Sequence, residues 1–306
     1  MVSTKQKSSQ KPSIRALAEL SFAGLLWGFG FIGTVWALHF LGPSAILFYR
    51  FAIAFVAGFA LLILFGTSKS ILISELKLTL IPGIFLWFTL FLQISGLQYT
   101  TAINSSFITT LYVILVPLLR ALTSKERLDW LHWLCVALAV IGTALIVNLQ
   151  KMSTLNWGDL LTLLCSLFAA IHILSIGQRT LRTKNAFAFN VFQSMWVAAL
   201  ALLTWPLTER WSLSSMDSKA WIGILSLGFG SSLIAFFLQV RAQKQISPSV
   251  ASLLFLLESP FSCFFAYLFL KEKLDPIQWL GAGLILAACA SISFLTPDLS
   301  KSPGDH

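Results

Sequence analysis

Apolar residues fill this chain in continuous runs of about 20, cut at intervals by short polar connections. The runs do not alternate with a period of two, and they are much longer than barrel strands, so the pattern predicts helices. Ten spans can be placed. The first half holds spans at about 16–38, 44–65, 78–98, 101–122 and 131–149, and the second at about 158–178, 187–207, 220–240, 248–270 and 277–295. Gly42-Pro43, Gly66-Thr67-Ser68, Asn156 and Ser247-Pro248 fall between spans, where helices stop or start. The expected fold class is an all-α integral membrane protein with ten transmembrane helices.

One phrase occurs twice. Lys125-Glu126-Arg127-Leu128-Asp129 runs on to Trp133-Leu134, and Lys271-Glu272-Lys273-Leu274-Asp275 runs on to Trp279-Leu280. In the same register Gln93 falls opposite Gln239, Ser106 opposite Ser252, Leu111 opposite Leu257 and Tyr112 opposite Glu258. Two similar halves in a membrane protein are a common plan of secondary transporters, whose substrate site lies between the repeats. The expected organisation is a basic tail over 1–15, a five-helix repeat over 16–149, a second over 150–296 and a short tail over 297–306.

Composition agrees with a lipid-solvated chain. Charged residues make up 11% and apolar residues 57%, with a mean hydropathy of +0.83. The formal charge of +9 is no nucleic-acid signature, because the basic residues are scattered through short connections. With the amino terminus inside, the inner connections hold Lys69, Lys77, Lys125, Arg127, Arg179, Arg182, Lys184, Arg241 and Lys244, plus the basic tail. The other side keeps Lys151, Arg210, Lys219, Lys271 and Lys273. That asymmetry predicts cytoplasmic termini. Five spans per repeat is an odd number, so the second repeat must insert upside down.

Other features have ordinary readings. Lys5, Lys7, Lys11 and Arg15 precede an apolar run that is too long for a secretory leader and lacks a small-residue cleavage site, so it reads as a retained first helix. Cys135, Cys165, Cys263 and Cys289 lie inside apolar windows without paired-ligand spacing, which suggests neither a metal site nor a disulfide. Trp36, Trp130, Trp133, Trp157, Trp205, Trp211, Trp221 and Trp279 sit near span ends as an interfacial belt. Trp27 and Trp87 lie deeper. Gly24-x-x-x-Gly28 and Gly281-x-Gly283 are expected to let helices approach closely.

Polar groups at depth carry the functional information. Glu258 lies about 15 Å into span 9, where an ionised carboxylate costs several kcal/mol unless it is paired, hydrated or protonated. It is either a structural acid or a group that loads and releases a proton. Arg50, about 10 Å into span 2, either snorkels, or makes a salt bridge, or attracts anions at the outer mouth. Ser105, Thr109 and Tyr112 draw one polar stripe down span 4, flanked by Asn104 and Ser106. Gln93 and Gln239 are an aligned pair, suited to solute contact or to interhelical hydrogen bonds. His172 sits across from the Trp27 region and is either merely hydrogen-bonded or a proton carrier.

Catalysis finds no support. The chain has no nucleotide-binding glycine loop, no nucleophile elbow and no zinc spacing, so neither an enzyme nor a cofactor is expected.

Several segments together resemble the drug/metabolite transporter superfamily, and within it the bacterial EamA-type carriers. They are Trp27-Gly28-x-Gly30-Phe31, Pro43 with Tyr49-Arg50-Phe51, and Gly96-Leu97-Gln98-Tyr99-Thr100-Thr101-Ala102 leading to Phe107-Ile108-Thr109 and Val116-Pro117. Leu257-Glu258-x-Pro260 and Lys271-Glu272-Lys273-Leu274 complete the set. The chain departs from the usual glycine-glutamate pair, having Lys125-Glu126 and Lys271-Glu272, and span 7 carries Gln193 at the place the internal alignment sets against Arg50. The resemblance implies two inverted five-helix repeats around a cavity lined mainly by spans 1, 3, 4, 6, 8 and 9. It also implies a multi-pass bacterial inner-membrane exporter of small organic metabolites, amino-acid-like, purine-like or drug-like. Two repeats around a midplane site lead to alternating access, and the depth of Glu258 makes it the proton-coupling candidate. A passive facilitator or an organophosphate or nucleotide-sugar exchanger is the competing expectation. Expected partners are membrane lipids and a small solute, not nucleic acid, for a monomer or weak homodimer.

Overall fold

The computed structural model describes residues 13–124, 130–147, 156–208, 216–273 and 275–295. Span 1 is α1 (Ile14–Leu38), span 2 is α2 (Pro43–Leu64), and a short α3 (Lys69–Leu78) leads into span 3, α4 (Leu80–Leu97). Span 4 is built from α5 (Ala102–Thr109) and α6 (Tyr112–Ser124), and span 5 is α7 (Trp130–Val147). In the second half, span 6 is α8 (Trp157–Arg179) and span 7 is α9 (Ala186–Thr208). Span 8 combines α10 (Ser218–Leu225), a π-helical stretch (Ser226–Ala235) and α11 (Phe236–Gln243). Span 9 combines α12 (Pro248–Phe255), α13 (Glu258–Phe265) and a π-helical turn (Ala266–Leu270), and span 10 is α14 (Pro276–Leu295). Eight of these stretches are long and apolar enough to cross a membrane, and the helices within spans 5 and 10 are shorter apolar ones. No strand occurs among the described residues.

Packing follows a pseudo-twofold rule. Span 2 packs on span 7 and span 5 on span 10, like on like. Span 1 packs on spans 8 and 9, while its counterpart span 6 packs on spans 3 and 4. Each half therefore supplies the wall that the other lacks. Small residues permit the closest approaches. A Cβ on Gly28 would lie 2.6 Å from the Phe261 Cβ, and one on Gly142 would lie 2.6 Å from the Gly281 carbonyl oxygen. Gly283, also expected to permit a close contact, faces open space instead. The outside is apolar, with Phe22, Val56, Ile63, Leu122, Leu203 and Phe264 exposed, as lipid contact requires.

The fourth span of each repeat is broken at the equivalent turn. Thr110 and Leu111 interrupt span 4, Leu256 and Leu257 interrupt span 9, and Tyr112 and Glu258 are the first residues after each break. Tight bonds carry the chain across, from Thr110 N to Phe107 O and from Leu256 N to Leu253 O. In span 9 the cause is Pro260, which lacks an N–H and crowds the Leu256 carbonyl. In span 4 hydroxyls compete for the ladder: Thr109 donates to the Ser105 carbonyl at 2.8 Å and Thr110 to the Phe107 carbonyl at 2.6 Å. An apolar run read only by hydropathy shows neither interruption.

Two other details depart from the sequence pattern. The connection after span 2 contains α3, whose Glu75 is fully buried and accepts from the backbone N–H of Lys184 at 2.7 Å and of Asn185 at 3.2 Å. Trp205, expected in the interfacial belt, is buried against Phe48 and Tyr49. Of the repeated phrase, residues 125–129 lie outside the described residues. In the second copy Lys271 takes a left-handed conformation (φ 56°), and Glu272 accepts from the backbone N–H of Ala102 and Ile103 at the start of span 4.

Candidate functional site

A central cavity lies where the two broken helices meet spans 1, 2, 3, 6 and 8. Tyr112 and Glu258 are presented to it by the breaks themselves. Tyr112 donates to Glu258 Oε1 at 3.5 Å, and both side chains are almost wholly buried. Helix breaks at membrane depth expose backbone and side-chain groups to a cavity rather than to lipid, which is how discontinuous helices build sites in transporters.

Apolar walls carry the rest of the lining. Trp27 sits 5.2 Å from the Phe236 ring and 5.3 Å from the Phe255 ring, centroid to centroid. His172 meets the Phe236 ring edge-on at 6.1 Å, and its Nε2 lies 3.2 Å from Gln193 Oε1. Gln193, expected from the sequence as a partner for Arg50, thus serves His172. Gln93 donates to Thr109 Oγ1 at 3.1 Å. Gln239 donates to Gln243 Oε1 at 3.1 Å, and Gln243 in turn donates to the Ile173 carbonyl at 3.1 Å.

Eight residues singled out from the sequence therefore border one cavity: Glu258, Tyr112, Gln93, Gln239, Trp27, His172, Thr109 and Arg50. Ser105 and Asn104 do not. Ser105 is buried one turn behind Thr109 and accepts its hydroxyl through the backbone carbonyl. Asn104 sits in the first turn of α5, where Thr101 caps its backbone N–H. Trp87 stacks on Phe91 at 5.1 Å and borders no part of the cavity.

Sequence reasoning missed Ser231, Thr34 and Thr89, which also border the cavity. Ser231 follows Gly228-Phe229-Gly230 inside the π-helical stretch, and that glycine pair in a span was the available signal. Asn190 braces the stretch by donating to the carbonyls of Ser232 at 3.1 Å and Leu233 at 2.9 Å. Two cavity groups have no protein partner among the described residues, the Trp27 indole N–H and the Gln239 Oε1. Buried polar atoms are rarely left so, and both belong to residues that line the cavity.

The end of the bundle that carries Arg15, Lys69, Lys77, Arg179, Arg241 and Lys244 is tied together by polar contacts. Glu19 pairs with Arg241 at 2.7 Å and with Arg15 at 2.8 Å. Ser13 donates to Gln245, Thr180 to the Gln243 carbonyl and Lys244 to the Thr183 carbonyl. No cluster of His, Cys, Asp and Glu suited to a metal occurs among the described residues.

Apolar spans, with span 2 on span 7 and span 5 on span 10, enclose a largely apolar central cavity that carries a few polar groups, the build of a multi-pass membrane protein. The EamA-like transporter family model matches residues 17–148 and again 156–294, and the chain belongs to that family. An uncharacterized transporter of Archaeoglobus fulgidus is 31% identical over 94% of this chain and 90% of its own length. An uncharacterized transporter of Methanothermobacter thermautotrophicus is 23% identical over 64% of this chain and 57% of its own. A solved crystal structure superposes with a TM-score of 0.74 at 18% identity, covering 93% of this chain and 99% of that one, which is a likeness of fold.

Proposed function

We propose that this transporter moves a small organic solute by alternating access, with the central cavity as the solute site and Glu258 as the proton-coupling group. The observation that carries the reading is the meeting of Tyr112 and Glu258, one from each repeat, inside a cavity that also holds the unpartnered Trp27 N–H and Gln239 oxygen. A site built from both repeats changes exposure when one repeat rocks against the other. The polar ties at the basic end correspond to a state closed on that side. By the positive-inside rule that side is cytoplasmic, as are both termini. Export is the direction that the resemblance to EamA-type carriers suggests, and the cytoplasmic membrane is the location.

The solute is small, aromatic or amphipathic, and not a phosphate ester. Among the described residues Arg50 is the only lysine or arginine that borders the cavity, and a phosphate exchanger needs a basic cluster.

Reconstituted protein with an imposed pH gradient tests the reading. The parent should accumulate solute uphill, and Glu258→Gln should lose that uphill transport while still exchanging solute down its own gradient. A neutral amide keeps shape and hydrogen bonding but cannot alternate between charged and uncharged forms. Uphill transport by Glu258→Gln equal to the parent moves the coupling elsewhere, with His172 next.

A further inference from the structure

Arg50 is 3% exposed and has no carboxylate within ion-pair reach among the described residues. Its Nε donates to Ser232 Oγ and its Nη2 to Ser231 Oγ, both at 2.9 Å, and its guanidinium lies 5.1 Å from the Phe51 ring centre. A guanidinium has five N–H donors. With two given to the serines, three are left without a protein acceptor among the described residues. Arg50 and Ser231 both border the cavity, whereas Ser232 stands behind them.

A cation at this depth is costly without a counter-charge, and two neutral hydroxyls do not supply one. The surroundings nevertheless fix it firmly. The serines sit on the π-helical stretch, which Asn190 braces from span 7. A Cβ on Gly30 would come within 3.3 Å of Ser231 Oγ, so span 1 closes the third side. The Ser231 hydroxyl accepts from Arg50, which leaves its own proton available to a solute acceptor. Three helices from both repeats thus hold a positive corner that the protein itself does not neutralise.

We propose that Arg50 and Ser231 form an anion-binding corner that takes the carboxylate of a small amphipathic organic acid or zwitterion. The apolar body of that solute lies against Trp27, Phe236 and Phe255. The inference rests on the reading of the cavity as the solute site and deepens it. One guanidinium balances one negative charge, which suits a carboxylate. A phosphate dianion would leave a surplus charge in a poorly hydrated space. Guanidinium N–H pairs also match the two oxygens of a carboxylate.

The test uses the full chain in lipid nanodiscs, titrated by tryptophan fluorescence and thermal shift. The probes are matched sets of aromatic and aliphatic solutes in carboxylate, primary-amide and amine forms. Carboxylates should bind the parent roughly tenfold more tightly than their amides, as a charge-assisted bond predicts. Arg50→Gln should erase that difference and leave amide binding within about twofold of the parent, while Arg50→Lys should keep a reduced preference. Ser231→Asp supplies an internal counter-charge and stands in if Arg50→Gln does not fold. It should lose carboxylate binding, keep amide binding and melt above the ligand-free parent. A merely structural Arg50 would not discriminate acid from amide.

A parent that binds amides as tightly as carboxylates overturns the corner and leaves the cavity reading standing. So does either Arg50→Gln or Ser231→Asp with the parent's preference intact. Stabilisation by chloride alone, abolished in Arg50→Gln, assigns the corner to an inorganic anion and overturns the solute claim. Failure of every probe to bind the parent overturns the corner and the cavity reading together.

Discussion

Tyr112 and Glu258 stand 146 residues apart at matched positions of the two repeats, and the phenol of one donates to the carboxyl of the other at 3.5 Å. Each is the first residue after the break in its own fourth span. The symmetry of the backbone thus delivers two chemically different groups to one point, a donor from one half and an acid from the other.

This pairing can be tested in binding as well as in transport. Tyr112→Phe should weaken solute binding by about fivefold, the worth of one hydrogen bond of about 1 kcal/mol. The double variant with Glu258→Gln should lose less than the sum of the two single losses, because residues in contact are energetically coupled. Strict additivity in a double-mutant cycle would place the two groups in separate roles.

Orientation is open to thiol labelling, since the four native cysteines are buried. Lys219 and Lys69 are both exposed, at opposite ends of the bundle. In intact cells Lys219→Cys should react with a membrane-impermeant maleimide, and Lys69→Cys only after permeabilisation. The reverse pattern would invert the whole topology.

Contact between spans 5 and 10 depends on Gly142. A side chain there meets the Gly281 carbonyl oxygen at 2.6 Å, backbone that cannot move aside as a side chain could. Gly142→Val should lower the midpoint of thermal unfolding, a loss of about 1–3 kcal/mol from overpacking. Gly283→Ala, in open space, should leave the midpoint unchanged. Equal effects of the two would remove the close approach as a source of stability.

Glu75 gives a pH signature outside the spans. Burial raises its pKa above the ordinary 4.5, and this outweighs the opposite pull of the Lys184 and Asn185 N–H groups. The folded state therefore holds the proton more tightly than the unfolded chain. Its stabilising contribution is complete below the ordinary glutamate value and fades as pH rises through the raised one. Glu75→Gln, which keeps an acceptor oxygen without the charge, should flatten that fall in melting temperature between acid and neutral pH. Glu75→Ala should instead lower the melting temperature at every pH, because the part-buried Lys184 and Asn185 N–H groups lose their acceptor. A Glu75→Gln profile as steep as the parent's would assign the pH dependence to another group.

Much of this protein was legible in its sequence, because the bilayer imposes one rule on every span. Each backbone group must be satisfied within its own helix, so length and hydropathy alone predict ten helices. The repeated Lys-Glu-x-Leu-Asp phrase fixed the register of the halves, and with it the pairing of Tyr112 with Glu258 and of Gln93 with Gln239. Polar residues at depth are scarce, so most of those singled out reach the cavity. What the sequence could not decide is direction around a helix. Ser105 and Thr109 share a stripe, yet Thr109 reaches the cavity while Ser105 packs one turn behind it. Arg50 allowed snorkelling, a salt bridge or an anion site. Only the tertiary structure turns it onto Ser231 and Ser232, residues more than 180 positions away, because a contact between helices depends on how both are rotated and where one of them bulges.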